Sequence, residues 1–242
     1  MSSSQAANSN MRGRSLPAQA IVDEYERLEV SEHAFFRELK DKPVDYAALW
    51  LLMANLQCSI SHHFVRWLAS VIARVDDPRI ASLLAKQLND ELGNGDFKAI
   101  HSVLLDRFVN GLEEKSERDR ARDWLQPGRG LLHAMTNTFK ASDPYEGVGA
   151  LMVSEIFAKK MDHCVGEELR RQSELSSETM HWLDLHEHLE VTHAEDSYEL
   201  AVLIPEGGSQ LTAAWRGARA EWDALWGFLD EVHATSRALR AG

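Results

Sequence analysis

The sequence lacks the sustained alternation of apolar and polar residues that half-buried β-strands show, and it has few residues that break helices. Proline accounts for 6 and glycine for 14 of its 242 residues. Helix-forming residues dominate the segments between these breaks, where apolar residues recur at a roughly helical period. The pattern therefore predicts an all-α protein. Because no break resembles a long linker, we expect a single domain.

A basic surface is also missing. The 38 acidic residues outnumber the 26 lysines and arginines, which gives a formal net charge of -12. Nucleic-acid binding depends on basic surfaces, so we expect no nucleic-acid partner. No apolar run reaches the roughly 20 residues that cross a membrane, so we expect no membrane partner either.

Residues 1–16 are rich in Ser, Asn and Gln and contain no apolar core of a signal peptide. They predict a disordered tail before a domain over residues 17–242, and a cytoplasmic location by default. With only two cysteines, Cys58 and Cys164, the chain has neither a disulfide framework nor a paired-cysteine metal motif. We expect both cysteines to be buried as small apolar side chains.

The proline- and glycine-containing breaks divide the chain into a series of predicted helices. The first of them, 45–75, is expected to be one long or kinked helix. The others are 78–93, 96–112, 117–125, 129–140, 145–172, 177–203 and 209–239.

The strongest indication of chemistry is the H-x3-E-x2-H spacing of His186, Glu190 and His193. At about 100° per residue, these positions fall within roughly 60° of one another on a helix. The same face carries Trp182 and Leu200, so we expect it to lie inside the protein. Imidazole and carboxylate together suit iron, manganese or zinc, and the trio is therefore a candidate metal site.

Two alternatives apply to this helix. His181, Asp184 and His188 form a rival trio, but their face is more polar and is expected to be solvated. The other alternative is that all these residues are an ordinary charged helix surface.

Glu155 continues an apolar stripe formed by Val148, Leu151 and Met152, at a position where another apolar residue would be expected. Alone, it could lie at the edge of the stripe, or be a buried acid bonded to a tyrosine or an arginine. Beside a helix with two inward histidines, a role as a metal ligand is favoured.

Glu91 and His101 flank a segment with two glycines, Gly93 and Gly95. On a straight helix, residues ten positions apart point about 80° away from each other. A distortion at the glycines could bring both side chains to one site. An ordinary turn at Gly95, with Asp96 capping the next helix, is compatible with that interpretation.

The candidate ligands are then three carboxylates and three imidazoles: Glu91, His101, Glu155, His186, Glu190 and His193. Three anionic ligands against two divalent cations leave a net charge near +1, which suits a two-metal site with open positions. Six such ligands would be excessive for one ion.

With these motifs, the chain resembles the heme-oxygenase-like diiron oxidase and oxygenase family. The resemblance rests on Asn89-Asp-Glu-Leu-Gly-x-Gly95 followed by His101, on the isolated Glu155, and on the run that ends at His193, in the expected order over residues 45–205. It implies a bundle of about seven core helices that holds two Fe(II) ions. It also implies reaction with O2 as co-substrate through a peroxo-diiron(III) intermediate, with no catalytic residue beyond the metal ligands.

Members of that family oxidise amines, amino acids or fatty acids in specialised-metabolite biosynthesis. The Gly-x-Gly form of the motif resembles the N-oxygenating and amino-acid-cleaving branches, which implies a small amine or amino-acid-derived substrate. The chain departs from the family at Glu190, where many members have aspartate. It also has His62 and His63, and no obvious acid, where some N-oxygenating members carry a seventh ligand; either histidine is a substitute ligand or lies outside the ligand set.

Two alternative functions remain at this stage. One is a metal-free enzyme of the same fold, like the thiaminase-type or quinone-cofactor-forming relatives. The other is a helical protein-interaction module that uses the stripe of Trp215, Trp222, Trp226 and Leu229 on the last helix. This stripe is more simply a core face or the packing face of a homodimer.

Overall fold

The computed structural model describes residues 17–40, 42–116, 127–172 and 175–241, without the side chains of 172 and 187–195. Within these residues the secondary structure is helical and contains no strand, which confirms the predicted all-α class. The predicted tail over residues 1–16 and the predicted helix over 117–125 lie outside the described residues.

The helices are first a short N-terminal pair and then a series of longer ones. They are α1 (Gln19–Glu26), α2 (Ala34–Leu39), α3 (Tyr46–Leu56), α4 (His62–Ile72), α5 (Pro78–Glu91), α6 (His101–Ser116), α7 (Gly128–Phe139), α8 (Pro144–Gln172), α9 (Ser177–Leu203) and α10 (Gly208–Ala241). Side-chain caps begin several of them: Asp45, Asp77 and Ser176 each accept a hydrogen bond from a backbone N–H of the first turn.

The long helices agree with the predicted segments, and the differences are local. The kink expected within 45–75 is a π-helical turn at Gln57–Ser61, between α3 and α4. The helix expected to begin at Asp96 begins at His101 instead, because residues 96–100 form a loop. The pattern did not predict α1 and α2.

Among the described helices, α8 and α10 share the most extensive contact, and it depends on two glycines. A Cβ atom at Gly149 would lie 1.9 Å from the carbonyl oxygen of Ala214, and one at Gly217 would lie 1.9 Å from that of Glu146. The two backbones therefore approach so closely that only hydrogen fits at these positions. This close approach fixes the position of α8 along the axis of α10.

The tryptophan stripe of α10 belongs to the core of the same chain. Trp222 is buried, its ring stacks on Trp226, and it also contacts the rings of Tyr25 and Phe157. Leu229 is fully buried. Trp215 and Trp226 are partly buried against the same core. The stripe therefore packs mainly within its own chain, as the simpler alternative predicted.

Cys164 is buried, as expected, but Cys58 is exposed, so the prediction for Cys58 was wrong. Cys58 lies in the π-helical turn, where the altered helical period changes which residues face the core. Among the described helices, none is both long and apolar enough to cross a membrane.

Replacing Gly217 with alanine is expected to lower the free energy of unfolding by about 1–3 kcal/mol, because the new methyl group must push α8 and α10 apart. Gly227→Ala on the same helix is the control, since no atom lies within 4 Å of a Cβ built there. Urea unfolding of both variants checks this. Equal stability of the two variants would show that the close approach does not constrain the bundle.

Candidate metal centre

A mostly apolar cavity of about 110 Å³ lies inside the bundle. Its walls come from the π-helical turn and from α3 to α10. Leu56, Phe64, Leu105, Met135 and Leu225 are among its apolar residues. Its polar lining residues are Ser61, Glu91, His101, Ser154, Glu155, Asp162 and His186. Four of the six predicted metal ligands therefore line one cavity.

Glu91 and His101 meet across the glycine-containing loop. Glu91 is the last residue of α5 and His101 is the first of α6. Between them Gly93, Asn94 and Gly95 all have positive φ, at 75°, 52° and 90°. This left-handed segment reverses the chain, and Glu91 Oε1 lies 3.1 Å from His101 Nδ1. The predicted distortion therefore does bring the two side chains together.

Glu155 enters the cavity from the middle of α8, and a neighbouring amide holds it. The side-chain N–H of Gln87 donates a hydrogen bond to Glu155 Oε1. Gln87 is buried and lies one turn before Glu91 on α5. The same helix thus supplies one candidate ligand and orients another.

His186 is oriented by its own helix. Its Nδ1 lies 3.0 Å from the carbonyl oxygen of Trp182, and its ring packs on the Trp182 indole. When the Nδ1–H donates to a carbonyl, the lone pair of the ring lies on Nε2. This tautomer can bind a metal ion through Nε2. The rings of His186 and His101 have their centroids 4.7 Å apart. The two imidazoles are therefore neighbours in the cavity wall.

Glu190 and His193 lie on α9, which is helical from Ser177 to Leu203, but their side chains are outside the described residues. In a continuous helix their positions follow His186 on the same face. Considering the described side chains alone, no group of three or more His, Cys, Asp or Glu is arranged to hold a metal ion.

His62 and His63, in contrast, do not line the cavity. His62 is about half exposed, with Nε2 3.6 Å from Asp106 Oδ1, and His63 stacks on Trp67. At this level of the bundle Ser61 and Phe64 face the cavity instead. In the rival trio, the two members with described side chains, His181 and Asp184, are exposed, as the sequence predicted for that face.

The sequence did not single out three polar residues beside the cavity. Gln87 shares a face with Glu91, four residues later, and Asp162 lies two turns after Glu155 in the same inward stripe, buried at 1 % exposure. Glu221 on α10 is fully buried, and the Ser154 hydroxyl donates a hydrogen bond of 2.8 Å to its Oε1. Glu221 could have been predicted by the pattern used for Glu155, which is an acidic residue among the apolar residues of an inward helical stripe.

Burial raises the pKa of Glu221 to about 8, while the hydrogen bond from Ser154 opposes this shift in part. A carboxyl group in an apolar interior favours its neutral form, because the charged form loses its hydration. Glu221 is therefore protonated at neutral pH.

Comparison with known proteins identifies the family of this chain. The sequence profile described as "iron-containing redox enzyme" matches residues 56–226, well over half of the chain. The chain belongs to this iron-containing redox enzyme family. Membership of this family makes the chain an oxidoreductase and implies iron as its cofactor. It also confirms the family resemblance found in the sequence.

Solved structures support the fold. One similar structure is a CADD-like protein of unknown function from Nostoc punctiforme, with a TM-score of 0.68 and 14% identity, covering 90% of this chain and 97% of that one. Another is a domain of unknown function with a heme oxygenase-like fold from Shewanella denitrificans, with a TM-score of 0.68 and 14% identity, covering 93% of this chain and 92% of that one. A comparison with curated proteins gives no significant match. The heme-oxygenase-like helical bundle is thus confirmed.

The residues present fit the iron that the family implies. Carboxylates and imidazoles are the ligand types of non-heme iron, and here they come from four helices and converge on one apolar cavity. Two of them are held by outer hydrogen bonds, from Gln87 to Glu155 and from His186 to the Trp182 carbonyl. Such outer contacts orient metal ligands.

Gly93→Ala is expected to lower the free energy of unfolding by about 1–3 kcal/mol and to separate Glu91 from His101. The φ of Gly93 is +75°, and an added Cβ would lie 2.7 Å from the backbone of Ala99 and Ile100, which cannot move aside as a side chain would. Gly130→Ala, at an exposed helical position, is the matched control. Urea unfolding compares the two, and a Gly93→Ala protein as stable as its control would contradict the loop geometry.

The raised pKa of Glu221 predicts a pH-dependent stability. The unfolded carboxyl releases its proton near its ordinary pKa of 4.5, whereas the folded one keeps it to about 8. The folded state therefore binds more protons in this interval, and its stability falls as the pH rises from about 4.5 to about 8. Glu221→Gln, which is neutral throughout, is expected to lose this part of the decline. Denaturant unfolding across this pH range checks it, and parallel curves for the two proteins would contradict the assignment.

Proposed function

We propose that this protein is a non-heme diiron oxygenase or oxidase that uses O2 to oxidise a small amine or amino-acid-derived metabolite in a specialised biosynthetic pathway, by N-oxygenation or oxidative C–C cleavage. The observation that carries the proposal is the convergence of Glu91, His101, Glu155 and His186 on one apolar cavity. Carboxylates and imidazoles in this setting are expensive to bury unless hydrogen bonds or metal ions compensate them.

Glu190 and His193 complete the proposed ligand set from the following turns of α9. Three carboxylates and three imidazoles would hold two Fe(II) ions with a net charge near +1. Bound ferrous iron would supply the electrons for the reduction of O2. The heme-oxygenase-like bundle provides the ligands from helices, which are more rigid supports than loops.

The chain's own residues prepare the cavity for this chemistry. Gln87 holds the Glu155 carboxylate, and the Trp182 carbonyl and indole hold the His186 ring. The apolar walls exclude bulk water, which strengthens electrostatic interactions inside and protects reactive species. The size of the cavity limits the substrate to a small molecule.

Charge in the cavity supports an amine as the substrate. Besides the candidate ligands Glu91 and Glu155, the wall contains the buried carboxyl of Asp162. No lysine or arginine occurs among the described residues that line it. An acidic, apolar cavity favours an ammonium group over a free carboxylate. The Gly-x-Gly form of the sequence motif points to the same substrate class.

A metal-free enzyme of this fold is the main competing function. It would use the cavity without the six ligand-type residues, and iron binding separates the two proposals. A homodimer and a cytoplasmic location stay predictions from the sequence.

The test is iron binding after anaerobic reconstitution with Fe(II). We expect close to two ions per chain, measured by metal analysis after gel filtration, and a loss of binding in Glu155→Ala. Glu167→Ala, an exposed carboxylate on the same helix, is the matched control and should bind iron like the native protein. Native binding by Glu155→Ala would reject the ligand assignment, and no iron in the native protein would favour the metal-free function.

Stopped-flow mixing of Fe(II)-loaded protein with O2, across a panel of amines, amino acids and fatty acids, then tests the substrate class. We expect amines or amino acids to accelerate the appearance of an optical transient. Acceleration by fatty acids alone would overturn the proposed substrate class while leaving the iron site in place.

A further inference from the structure

Glu221 is the buried acid that the proposed metal site does not use. It lies on α10, one turn before Leu225, and Leu225 lines the cavity. Its partner Ser154 lies on α8 directly before Glu155, and Ser154 also lines the cavity. The Glu221 carboxyl is therefore separated from the cavity by a single hydroxyl group.

The contacts of Glu221 decide where its proton lies. Oε1 is 2.8 Å from the Ser154 hydroxyl oxygen, whereas Oε2 is buried and has no hydrogen-bond partner among the described residues. A proton on Oε2 would be a buried donor without an acceptor, which is costly. Ser154 donates to Oε1 when Glu221 is a carboxylate, but when the acid is neutral a proton on Oε1 can be donated the other way, to the Ser154 oxygen, across the same 2.8 Å. The neutral acid is thus best satisfied as a donor to Ser154.

When Glu221 is the donor, the hydroxyl hydrogen of Ser154 is no longer needed for the bond to Glu221. When the Ser154 oxygen accepts from Glu221, its own hydrogen can rotate away from the carboxyl, since hydroxyl hydrogens turn to suit their acceptors. Ser154 is partly accessible and borders the cavity. Its hydrogen can then turn to the Ala150 carbonyl one turn earlier in the helix, or to an acceptor held in the cavity.

We propose that Glu221 and Ser154 form a proton relay that opens into the cavity beside Glu155. A basic oxygen or nitrogen atom held in the cavity takes the hydroxyl proton of Ser154, and Ser154 takes the proton of Glu221. One O–H bond of each donor breaks, Ser154 remains neutral, and the acceptor gains one positive charge while Glu221 becomes a carboxylate. Because this carboxylate is buried, its charged state is short-lived, and Glu221 takes up a new proton through Ser154 from water that enters the cavity.

The role of this relay in turnover rests on the proposed function, since the reduction of an oxygen atom of O2 to water consumes protons. The existence of the relay does not, because it is a property of the iron-free chain. Ser154 would be the group that touches the bound molecule, and Glu221 would act through it. The relay also explains why an acid occupies a fully buried position in the packing face between α10 and α8.

Infrared spectroscopy of the iron-free protein tests the relay directly. At neutral pH we expect a carbonyl stretch of a protonated carboxylic acid that is absent in Glu221→Gln. Transfer to D2O should shift this band quickly in the native protein. In Ser154→Ala the shift should be about tenfold slower or more, because the buried carboxyl must then wait for local opening of the helices.

Ser154→Thr keeps the hydroxyl and should restore fast exchange. Ser59→Ala is the matched control, since Ser59 is buried and its hydroxyl donates to its own helix at the Asn55 carbonyl. The absence of the protonated band in the native protein would overturn the proposal, and so would equal exchange rates in the native and Ser154→Ala proteins.

A turnover measurement distinguishes the relay from the proposed function. In iron-loaded protein, Ser154→Ala and Glu221→Gln should each lower kcat by about 10²-fold with little change in KM, and the double variant should lose no more than either single one. Additive losses would contradict a shared path. A native protein that binds no iron and consumes no O2 would reject the proposed function, while the exchange experiment would still decide the relay.

Discussion

Burial of carboxyl groups in an apolar helical bundle is the constraint on which the rest of this structure depends. Glu155, Asp162 and Glu221 all lie inside or beside a cavity whose walls are otherwise largely Leu, Phe and Met. A carboxylate without compensation there costs several kcal/mol, so each group must bind a donor, hold its proton or bind a cation. Glu155 accepts from Gln87, and Glu221 is bonded to Ser154 and neutral. In the proposed site, bound iron would compensate the charged ligands in the same way.

The helix α8 connects this constraint to the packing of the bundle. Gly149 near its start lets the backbone of α10 approach, and Ser154 and Glu155 follow within two turns on the way to Asp162. The close backbone contact therefore lies next to the residues that need accurate placement. A shift of α8 along α10 would move Glu155 relative to Gln87 and would break the Ser154 to Glu221 hydrogen bond. The geometry of the site therefore depends on the close packing of α8 against α10.

Sequence reasoning predicted those parts of the fold and site that depend on local periodicity. The bounds of α9 followed from the helical period of its residues between breaks, and Glu155 stood out as an acid in an apolar stripe. The meeting of Glu91 and His101 could be anticipated because two glycines permit the required backbone. The start of α6 was misplaced because Asp96 looks like a helix cap, whereas it begins a turn in which its side chain accepts from the backbone N–H of Lys98.

Other features could not be predicted because they depend on tertiary contacts. The burial of Gln87 beside Glu155 joins two helices far apart in sequence, and periodicity within either helix contains no information about that pair. Cys58 turned outward because a π-helical turn changed the local period. The aromatic stripe of α10 was correctly expected to pack, but only coordinates show that its partners Tyr25 and Phe157 belong to the same chain.

The two sides of the cavity differ in rigidity, and this difference bears on how the site works. Glu155 and His186 project from the middle of long helices that pack along their length. Glu91 and His101 instead lie at helix ends joined by a loop with three successive positive φ values, and Phe97 in that loop is 82% exposed. A segment with few buried side chains opens at a lower free energy than a packed helix. The wall that Glu91 and His101 form is therefore expected to open at a lower free energy than the wall that α8 and α9 form.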